Sequence, residues 1–146
     1  MGEEFDILLV EDNPNDVELT LHALRKHNPE FKIEVLRDGA EALECVFCTG
    51  EYKSRDIHVQ PRCILLDLKL PKVNGIEVLR QIKTDERTRG IPVVALTTST
   101  EQRDIAESYQ LGVNSYIAKP VDFEEFSEAV RQLGGYWLKL NRSPEI

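Results

Sequence analysis

Short apolar runs that end on polar residues alternate with amphipathic segments, and this alternation limits the fold more than any other feature of the chain. Four of the runs are followed by residues suited to binding phosphate or metal. They are residues 6–10 before Glu11 and Asp12, 63–66 before Asp67, 91–96 before Thr97, and 115–118 before Lys119. Short, continuous apolar runs are typical of strands that are buried on both faces of a sheet. The runs therefore predict parallel strands whose polar residues meet at one edge.

The segments between these runs carry apolar residues at helical spacing, and the run at residues 31–36 alternates like a more exposed strand. Strands that alternate with helices form parallel sheets with right-handed crossovers and helices on both faces. We therefore predict an α/β protein with one doubly wound, five-stranded parallel sheet in the flavodoxin-like order 2-1-3-4-5. The 146 residues suit a single domain, with a core at 5–133 and a helical extension and tail at 134–146.

Composition argues against several classes of function. The formal net charge of −8 argues against nucleic acid as the main partner, because nucleic-acid binders cluster Lys and Arg on one surface. The chain contains no run of 18 apolar residues, so no membrane-spanning segment is expected. The acidic N-terminus is unlike a signal peptide, and an odd number of cysteines, three, fits a reduced cytoplasmic protein.

Gly134 and Gly135 interrupt the last predicted helix. Its apolar residues nevertheless recur at intervals of 3 or 4 from Phe123 to Leu140. We predict that the helix continues to about Leu140, although each glycine costs roughly 1 kcal/mol relative to alanine. The alternative is a helix that ends with a cap at Gly134.

Glu11, Asp12 and Asp67 are predicted to converge at the switch point between strands 1 and 3, where sheets of this order place their sites. Three adjacent carboxylates repel one another, and a bound cation relieves that repulsion. Hard oxygen ligands with open positions suit Mg²⁺, and the backbone carbonyl of Lys69 is a candidate for a further ligand. The sequence therefore predicts a magnesium site at this edge of the sheet.

Asp67 follows a central strand alone, in a place where a carboxylate can attack phosphorus and form an aspartyl phosphate. Bound Mg²⁺, the Thr97 hydroxyl and the Lys119 ammonium would share the charge of the incoming phosphoryl group. Each residue also has a plainer interpretation. An acid after a strand is commonly a helix cap, and a lysine before proline is commonly a solvated loop residue. Only the joint occurrence of these residues, each at a strand end, indicates a site.

This pattern resembles the receiver domain of two-component response regulators over roughly residues 5–133. Three segments carry the resemblance: residues 38–43 (Asp-Gly-Ala-Glu-Ala-Leu), residues 65–75 (Leu-Leu-Asp-Leu-Lys-Leu-Pro-Lys-Val-Asn-Gly) and residues 116–120 (Tyr-Ile-Ala-Lys-Pro). The resemblance implies that Asp67 accepts a phosphoryl group from a sensor histidine kinase. It also implies that Glu11 and Asp12 are the acidic pair that binds Mg²⁺, although Asp-Asp is the commoner pair in that family.

By the same resemblance, Thr97 and Lys119 are the hydroxyl and the lysine of the site, and Tyr116 is the aromatic switch residue. Phosphorylation would attract Thr97, let Tyr116 turn inward and change the surface of the fourth helix, fifth strand and fifth helix. The plainer alternative is a half-buried Tyr116 that never moves. The family further implies a cis peptide bond between Lys119 and Pro120.

Two segments lie outside the shared pattern. The long connection at residues 49–62 and the Gly-Tyr-Trp-Leu ending at 135–138 resemble the small stand-alone receivers that pair with phytochrome-like sensor kinases. No output domain is expected, so output would pass through protein contacts. Trp137 and Leu140 extend the apolar stripe beyond the sheet, which predicts a symmetric homodimer through the fourth and fifth helices and this extension. The alternative is a tail that folds back on its own domain.

Two rival functions stay open at this stage. A Mg²⁺-dependent phosphatase that uses Asp67 as nucleophile usually carries a second acid two residues later, where this chain has Lys69. A bare interaction module that kept only the fold would have lost at least one of the acid, hydroxyl and lysine residues. We therefore expect a signalling receiver and not an enzyme that turns over external substrates.

Cys45 and Cys48 form a C-x-x-C pattern, which in some proteins marks redox or metal chemistry. Here the pattern lies inside the second predicted helix and not at a helix N-terminus, where thiolates are stabilised. We therefore predict two core or half-buried thiols. The three histidines share no spacing with an acid and are predicted to lie on the surface.

Overall fold

The computed structural model describes residues 4–143 and contains one five-stranded parallel sheet in the order β2-β1-β3-β4-β5. The strands are β1 (Ile7–Val10), β2 (Ile33–Leu36), β3 (Cys63–Leu66), β4 (Val93–Thr97) and β5 (Ser115–Ala118). This order confirms the predicted doubly wound, flavodoxin-like sheet. Its switch point lies between β1 and β3, because the chain moves outward in opposite directions from these two strands.

Five α-helices cover the two faces of the sheet. They are α1 (Pro14–His27), α2 (Gly39–Phe47), α3 (Gly75–Thr84), α4 (Gln102–Leu111) and α5 (Phe123–Gly135), and a π-helical segment (Tyr136–Leu140) follows α5. Side chains of Asn13, Asp38 and Asp122 cap α1, α2 and α5 by accepting hydrogen bonds from first-turn N–H groups. Each capped helix therefore begins within a few residues of the strand before it, at the edge of the sheet where the predicted site residues lie.

Two apolar cores hold the sheet between its helices. Alternate residues of a strand face opposite sides of a sheet, and here Leu8 and Val10 pack with buried residues of α2 and α3. Ile7 and Leu9 pack with buried residues of α1 and α5 on the other face. β1, β3 and β4 are buried along their whole length, as their continuous apolar runs predicted. Packing on both faces therefore fixes the positions of the strand ends.

The helical extension continues through Gly134 and Gly135, as predicted, but its last five residues form a π-helix. A π turn contains more residues than an α turn and so shifts which side chains face the core. Leu138 is only 3% exposed, whereas Leu140 is 72% exposed. The helix therefore reaches Leu140, as predicted, and Leu140 itself lies beyond the cover of the sheet. Trp137 packs against the core between the sheet and α1 and α5, so part of the extension folds back on its own domain.

The Lys119–Pro120 peptide bond is trans, because no cis peptide bond occurs among residues 4–143. The cis bond implied by the family resemblance is therefore wrong for this structure. The trans form is the lower-energy isomer of most X–Pro bonds. With a trans bond, the N–H of Lys119 donates to the carbonyl of Thr97 at 2.7 Å, and the Lys119 side chain still reaches the acidic residues.

The three cysteines are free thiols, and their burial confirms the prediction of core or half-buried residues. Burial raises the pKa of Cys45 to about 12, and burial also raises the pKa of Cys63 above its usual value. Cys48 is half-buried, and all three histidines are exposed.

No helix within residues 4–143 combines the length and the apolar character that crossing a bilayer requires.

Gly134 and Gly135 offer a matched test of the packing of α5 against α1. A Cβ atom on Gly134 would lie 2.8 Å from Cδ2 of the buried Leu24, whereas one on Gly135 would meet nothing within 4 Å. We expect Gly135→Ala to raise the free energy of unfolding by about 0.5–1 kcal/mol, since alanine loses less backbone freedom in a helix. Gly134→Ala should give no gain or a loss, because Leu24 must move. Urea unfolding measures both variants, and equal gains would contradict the close packing.

Candidate functional site

The carboxyl ends of β1 and β3 place two acids side by side. The N–H of Glu11 donates to the carbonyl of Leu36 at 3.0 Å, and the N–H of Asp67 donates to the carbonyl of Val10 at 3.0 Å. Both residues therefore continue the hydrogen bonding of the sheet. Glu11 and Asp67 are buried, whereas Asp12 is exposed. The pair of buried acids thus lies at the switch point of the sheet, with one exposed acid beside it.

The backbone after β3 holds Asp67 in place, and glycine at position 75 is required for this. The N–H of Gly75 donates to the carbonyl of Leu68 at 3.0 Å, and a Cβ on Gly75 would lie 2.3 Å from the carbonyl oxygen of Asp67. No side chain fits in so short a distance. In the same loop, the N–H of Lys69 donates to Oδ1 of Asp67 at 3.1 Å. The loop therefore orients the Asp67 carboxylate.

Lys119 contacts three carboxylates through a single ammonium group. Its Nζ lies 2.5 Å from Oε1 of Glu11, 2.8 Å from Oδ2 of Asp16 and 3.2 Å from Oδ2 of Asp67. The Lys119 side chain is only 5% exposed. The structure thus brings together Glu11, Asp67 and Lys119, which the sequence had placed at three separate strand ends.

Asp16 is the site residue that sequence reasoning missed. It lies in the first turn of α1, which begins directly after the Glu11-Asp12 pair. Because α1 starts at the carboxyl edge of the sheet, an acid in its first turn is a candidate for contact with the site, and this was the signal available in the sequence. An acid at this position is also common simply because it interacts favourably with the helix dipole, so the signal was weak.

Burial and neighbouring charges change the proton affinities of the site. Burial raises the pKa of Glu11 to about 7, and the charge of Asp67 acts in the same direction, whereas the hydrogen bond from Lys119 acts against it. Burial alone would lower the pKa of Lys119. Its hydrogen bonds to Asp16 and Glu11 and the charge of Asp67 outweigh burial and raise that pKa. The acids at this site outnumber its one ammonium group, and a bound cation would offset the surplus of negative charge.

Three of the carboxylates form a cluster that suits a metal ion. Ligand oxygens of Glu11, Asp12 and Asp67 all lie within 4.8 Å of one another, and no other such group of acids, histidines or cysteines occurs in the described part of the chain. An all-carboxylate set is typical of Mg²⁺ and Mn²⁺ sites, in which water or phosphate completes the coordination. The donor set therefore fits a divalent cation. The Lys69 carbonyl as a further ligand stays a prediction.

Thr97 and Tyr116 are connected through the loop between β4 and α4. Thr97 is buried at the carboxyl end of β4, and its Oγ1 accepts a hydrogen bond from the N–H of Ser99 at 3.4 Å. The Tyr116 hydroxyl donates to the carbonyl of the same Ser99 at 3.0 Å, and its half-buried ring packs against the core beneath α2 and α3. Both predicted switch residues therefore contact one loop residue.

Comparison with known proteins agrees with this geometry. The family model of the response regulator receiver domain matches residues 7–131. The chain belongs to the response regulator receiver family. This confirms the resemblance drawn from the sequence, and the receiver functions in two-component signalling. The cluster of Glu11, Asp12 and Asp67 fits the phosphorylation site of such a receiver.

One relative and two solved structures show how similar this chain is to other proteins. The probable methanogenesis regulatory protein FilR2 of Methanothrix harundinacea is 47% identical over 142 residues, which cover 97% of this chain and 89% of that one. The structure of the phosphorylated cyanobacterial phytochrome response regulator RcpA has a TM-score of 0.90 at 38% identity, covering 98% of this chain and 100% of the other. The Mn²⁺-bound form of response regulator Rcp1 has a TM-score of 0.90 at 37% identity, covering 97% and 99%.

Metal binding at this cluster predicts a measurable gain in stability, since a ligand that binds only the folded chain raises Tm. We expect saturating Mg²⁺ to raise Tm, with a gain of about 2.7 kcal/mol at a concentration about 100 times the Kd. Asp12→Asn removes the exposed ligand and leaves the Lys119 contacts in place, so it should abolish most of the shift. Thermal unfolding with Mg²⁺ and with EDTA measures both.

The matched control for this measurement is Glu18→Gln, which removes an equal charge from an exposed position on α1. It should keep the full increase in Tm. An undiminished increase in Asp12→Asn would place the metal outside the cluster.

Proposed function

We propose that Asp67 accepts a phosphoryl group from a phosphohistidine of a sensor histidine kinase, with Mg²⁺ held by Glu11, Asp12 and Asp67. One observation carries this proposal. The Asp67 carboxylate belongs to the three-carboxylate cluster, and its Oδ2 also lies 3.2 Å from Nζ of Lys119. A carboxylate in this place would have positive charge near it from both the bound Mg²⁺ and the Lys119 ammonium, and phosphoryl transfer requires such countercharge.

The transfer forms one bond and breaks one bond. A carboxylate oxygen of Asp67 bonds to phosphorus while the phosphorus–nitrogen bond to the histidine breaks, and the leaving imidazole keeps the electron pair and takes up a proton. Bound Mg²⁺ supplies charge neutralisation. Lys119 donates a hydrogen bond to one phosphoryl oxygen, and Thr97 offers its hydroxyl to another. The chain itself therefore contributes positioning and countercharge.

An exposed apolar surface beside the site supports docking of the kinase. Val121, which directly follows Pro120, is fully exposed, and Phe123, two residues further along the chain, is 54% exposed. Exposed apolar side chains next to a reaction site are typical of a contact surface for a partner. The similarity to the phytochrome response regulator RcpA supports a phytochrome-like sensor kinase as that partner.

Signal output follows from the contacts of Ser99. When the Thr97 hydroxyl moves toward the phosphoryl group, its hydrogen bond with the N–H of Ser99 is lost. The Ser99 carbonyl holds the Tyr116 hydroxyl, so the loop transmits this change to the surface of α4, β5 and α5. In this scheme, the charge added to Asp67 by phosphorylation shifts the loop and Tyr116 between two conformations.

The proposal includes no turnover of external substrates, because Lys69 stands where a phosphatase would carry its second acid. Residues 1–146 would act as one receiver unit. A cytoplasmic location goes with this role, since the three thiols stay reduced there.

Phosphorylation by a small donor tests the central proposal. We expect incubation with acetyl phosphate and Mg²⁺ to add a single phosphoryl group, because the site supplies metal, ammonium and acceptor together. Intact-mass spectrometry should show the adduct in the wild type and none in Asp67→Asn, with Asp56→Asn, which alters an exposed acid, as the control. Rapid multiple turnover of phosphate esters would instead support a phosphatase. Neither adduct nor turnover would support a bare interaction module.

We also propose a homodimer through α4, α5 and the π-helical extension. Tyr109 on α4 is 53% exposed, and the extension leaves Tyr136 and Leu140 largely exposed. Exposed apolar side chains of this size favour a self-complementary contact. Because Trp137 packs against its own core, Leu140 and the two tyrosines carry the contact in this proposal and not Trp137.

Sedimentation tests the dimer. We expect a dimer at micromolar concentrations, strengthened by a phosphoryl analogue, and we expect Leu140→Glu to weaken association by about tenfold or more, since a charge replaces an apolar contact. Val121→Glu introduces the same charge at a fully exposed apolar residue in the loop before α5, outside the proposed contact, and should leave association unchanged. A wild-type protein that stays monomeric with and without the analogue would remove the dimer from the proposal.

A further inference from the structure

Asp16 contacts the site lysine but stands outside the metal cluster. Its Oδ2 lies 2.8 Å from Nζ of Lys119, closer than the Oδ2 of Asp67 at 3.2 Å. The Asp16 side chain is 21% exposed, and its backbone N–H is held by Oδ1 of Asn13 at 3.1 Å. Asp16 is not among the three acids whose ligand atoms lie close together. It is therefore the one partner of Lys119 with no share in the proposed metal site.

A bound divalent cation changes the balance of charge around Lys119. Glu11 and Asp67 are shared between the ammonium and the metal cluster, so their charge is partly neutralised when a cation is present. A cation held by Glu11, Asp12 and Asp67 would also repel the Lys119 ammonium, because Lys119 contacts two of these three acids. The Asp16 carboxylate is then the only one of the three partners that pairs with Lys119 without also belonging to the metal cluster. Asp16 thus supplies the countercharge that keeps Lys119 in the loaded site.

An incoming phosphoryl group needs the same ammonium. Lys119 has three N–H donors, and all three have carboxylate partners in this structure. A phosphoryl oxygen must therefore replace one of these partners to gain a hydrogen bond from Lys119. Asp16 holds the ammonium from the first turn of α1, and the phosphoryl oxygen competes with it for the same N–H donors.

Resting on the function proposed above, we propose that Asp16 is a positioning residue with two opposing effects. It retains Lys119 beside the bound cation, which favours metal binding. It also competes with the phosphoryl group for the ammonium, which disfavours the phosphorylated form. A residue that merely supported the fold would act on both equilibria in the same direction.

The test measures both equilibria in the variant Asp16→Asn. Calorimetric titration gives the Kd for Mg²⁺, and fluorine NMR at saturating Mg²⁺ gives the Kd for beryllofluoride, a phosphoryl analogue. We expect the Kd for Mg²⁺ to rise about three- to tenfold, as for loss of a partly exposed ion pair, and the Kd for beryllofluoride to fall by a similar factor. Asp16→Glu keeps the charge and should restore both values toward the wild type.

Glu18→Gln is the matched control, because it removes the same charge from the same helix at an exposed position. It should leave both constants nearly unchanged. Weaker binding of both ligands in Asp16→Asn, or no change in either, overturns the inference. Circular dichroism checks folding, and Asp16→Ser replaces the asparagine variant if that one does not fold. A wild type that binds neither ligand overturns the proposed function itself, which separates the two failures.

Discussion

One ammonium group among buried carboxylates is the interaction on which the site depends. Lys119 reaches Glu11, Asp16 and Asp67 at 2.5–3.2 Å from the far side of β4. Without a cation, these acids would lie close together in a poorly solvated pocket, where their mutual repulsion is strong. Their arrangement is therefore tolerated because Lys119 is present, and the same surplus of negative charge makes the site a place for a divalent cation.

The two cores of the sheet make this arrangement possible. A buried ion cluster needs surroundings that do not move, since small shifts would leave a charge without a partner. Here β1, β3 and β4 are packed on both faces, so the residues that follow them cannot drift apart. The close approach of Gly75 to the backbone of Asp67 adds a further restraint. The stability of the core and the geometry of the site therefore have the same origin.

The sequence predicted most of the fold because its signals were local. Continuous apolar runs marked the buried strands, side-chain caps marked helix starts, and strand order followed from the alternation of strands and helices. One prediction failed where no local signal exists, because the Lys119–Pro120 bond is trans and not cis. The sequence also did not reveal the π-helical turn that places Leu138 inward. Both features depend on how a segment packs against residues far away in the chain.

By itself, the sequence determined which residues stand at the strand ends, because each apolar run and the polar residue that follows it can be read directly from neighbouring positions. It thereby placed Glu11, Asp67 and Lys119 at one edge of one sheet. Only the tertiary structure decided which oxygen each nitrogen contacts, and it added Asp16 to the site. The physical reason is that the two kinds of interaction act over different separations along the chain. Periodicity acts over neighbouring residues, whereas an ion pair between α1 and the end of β5 depends on distances that only the packed sheet and helices set.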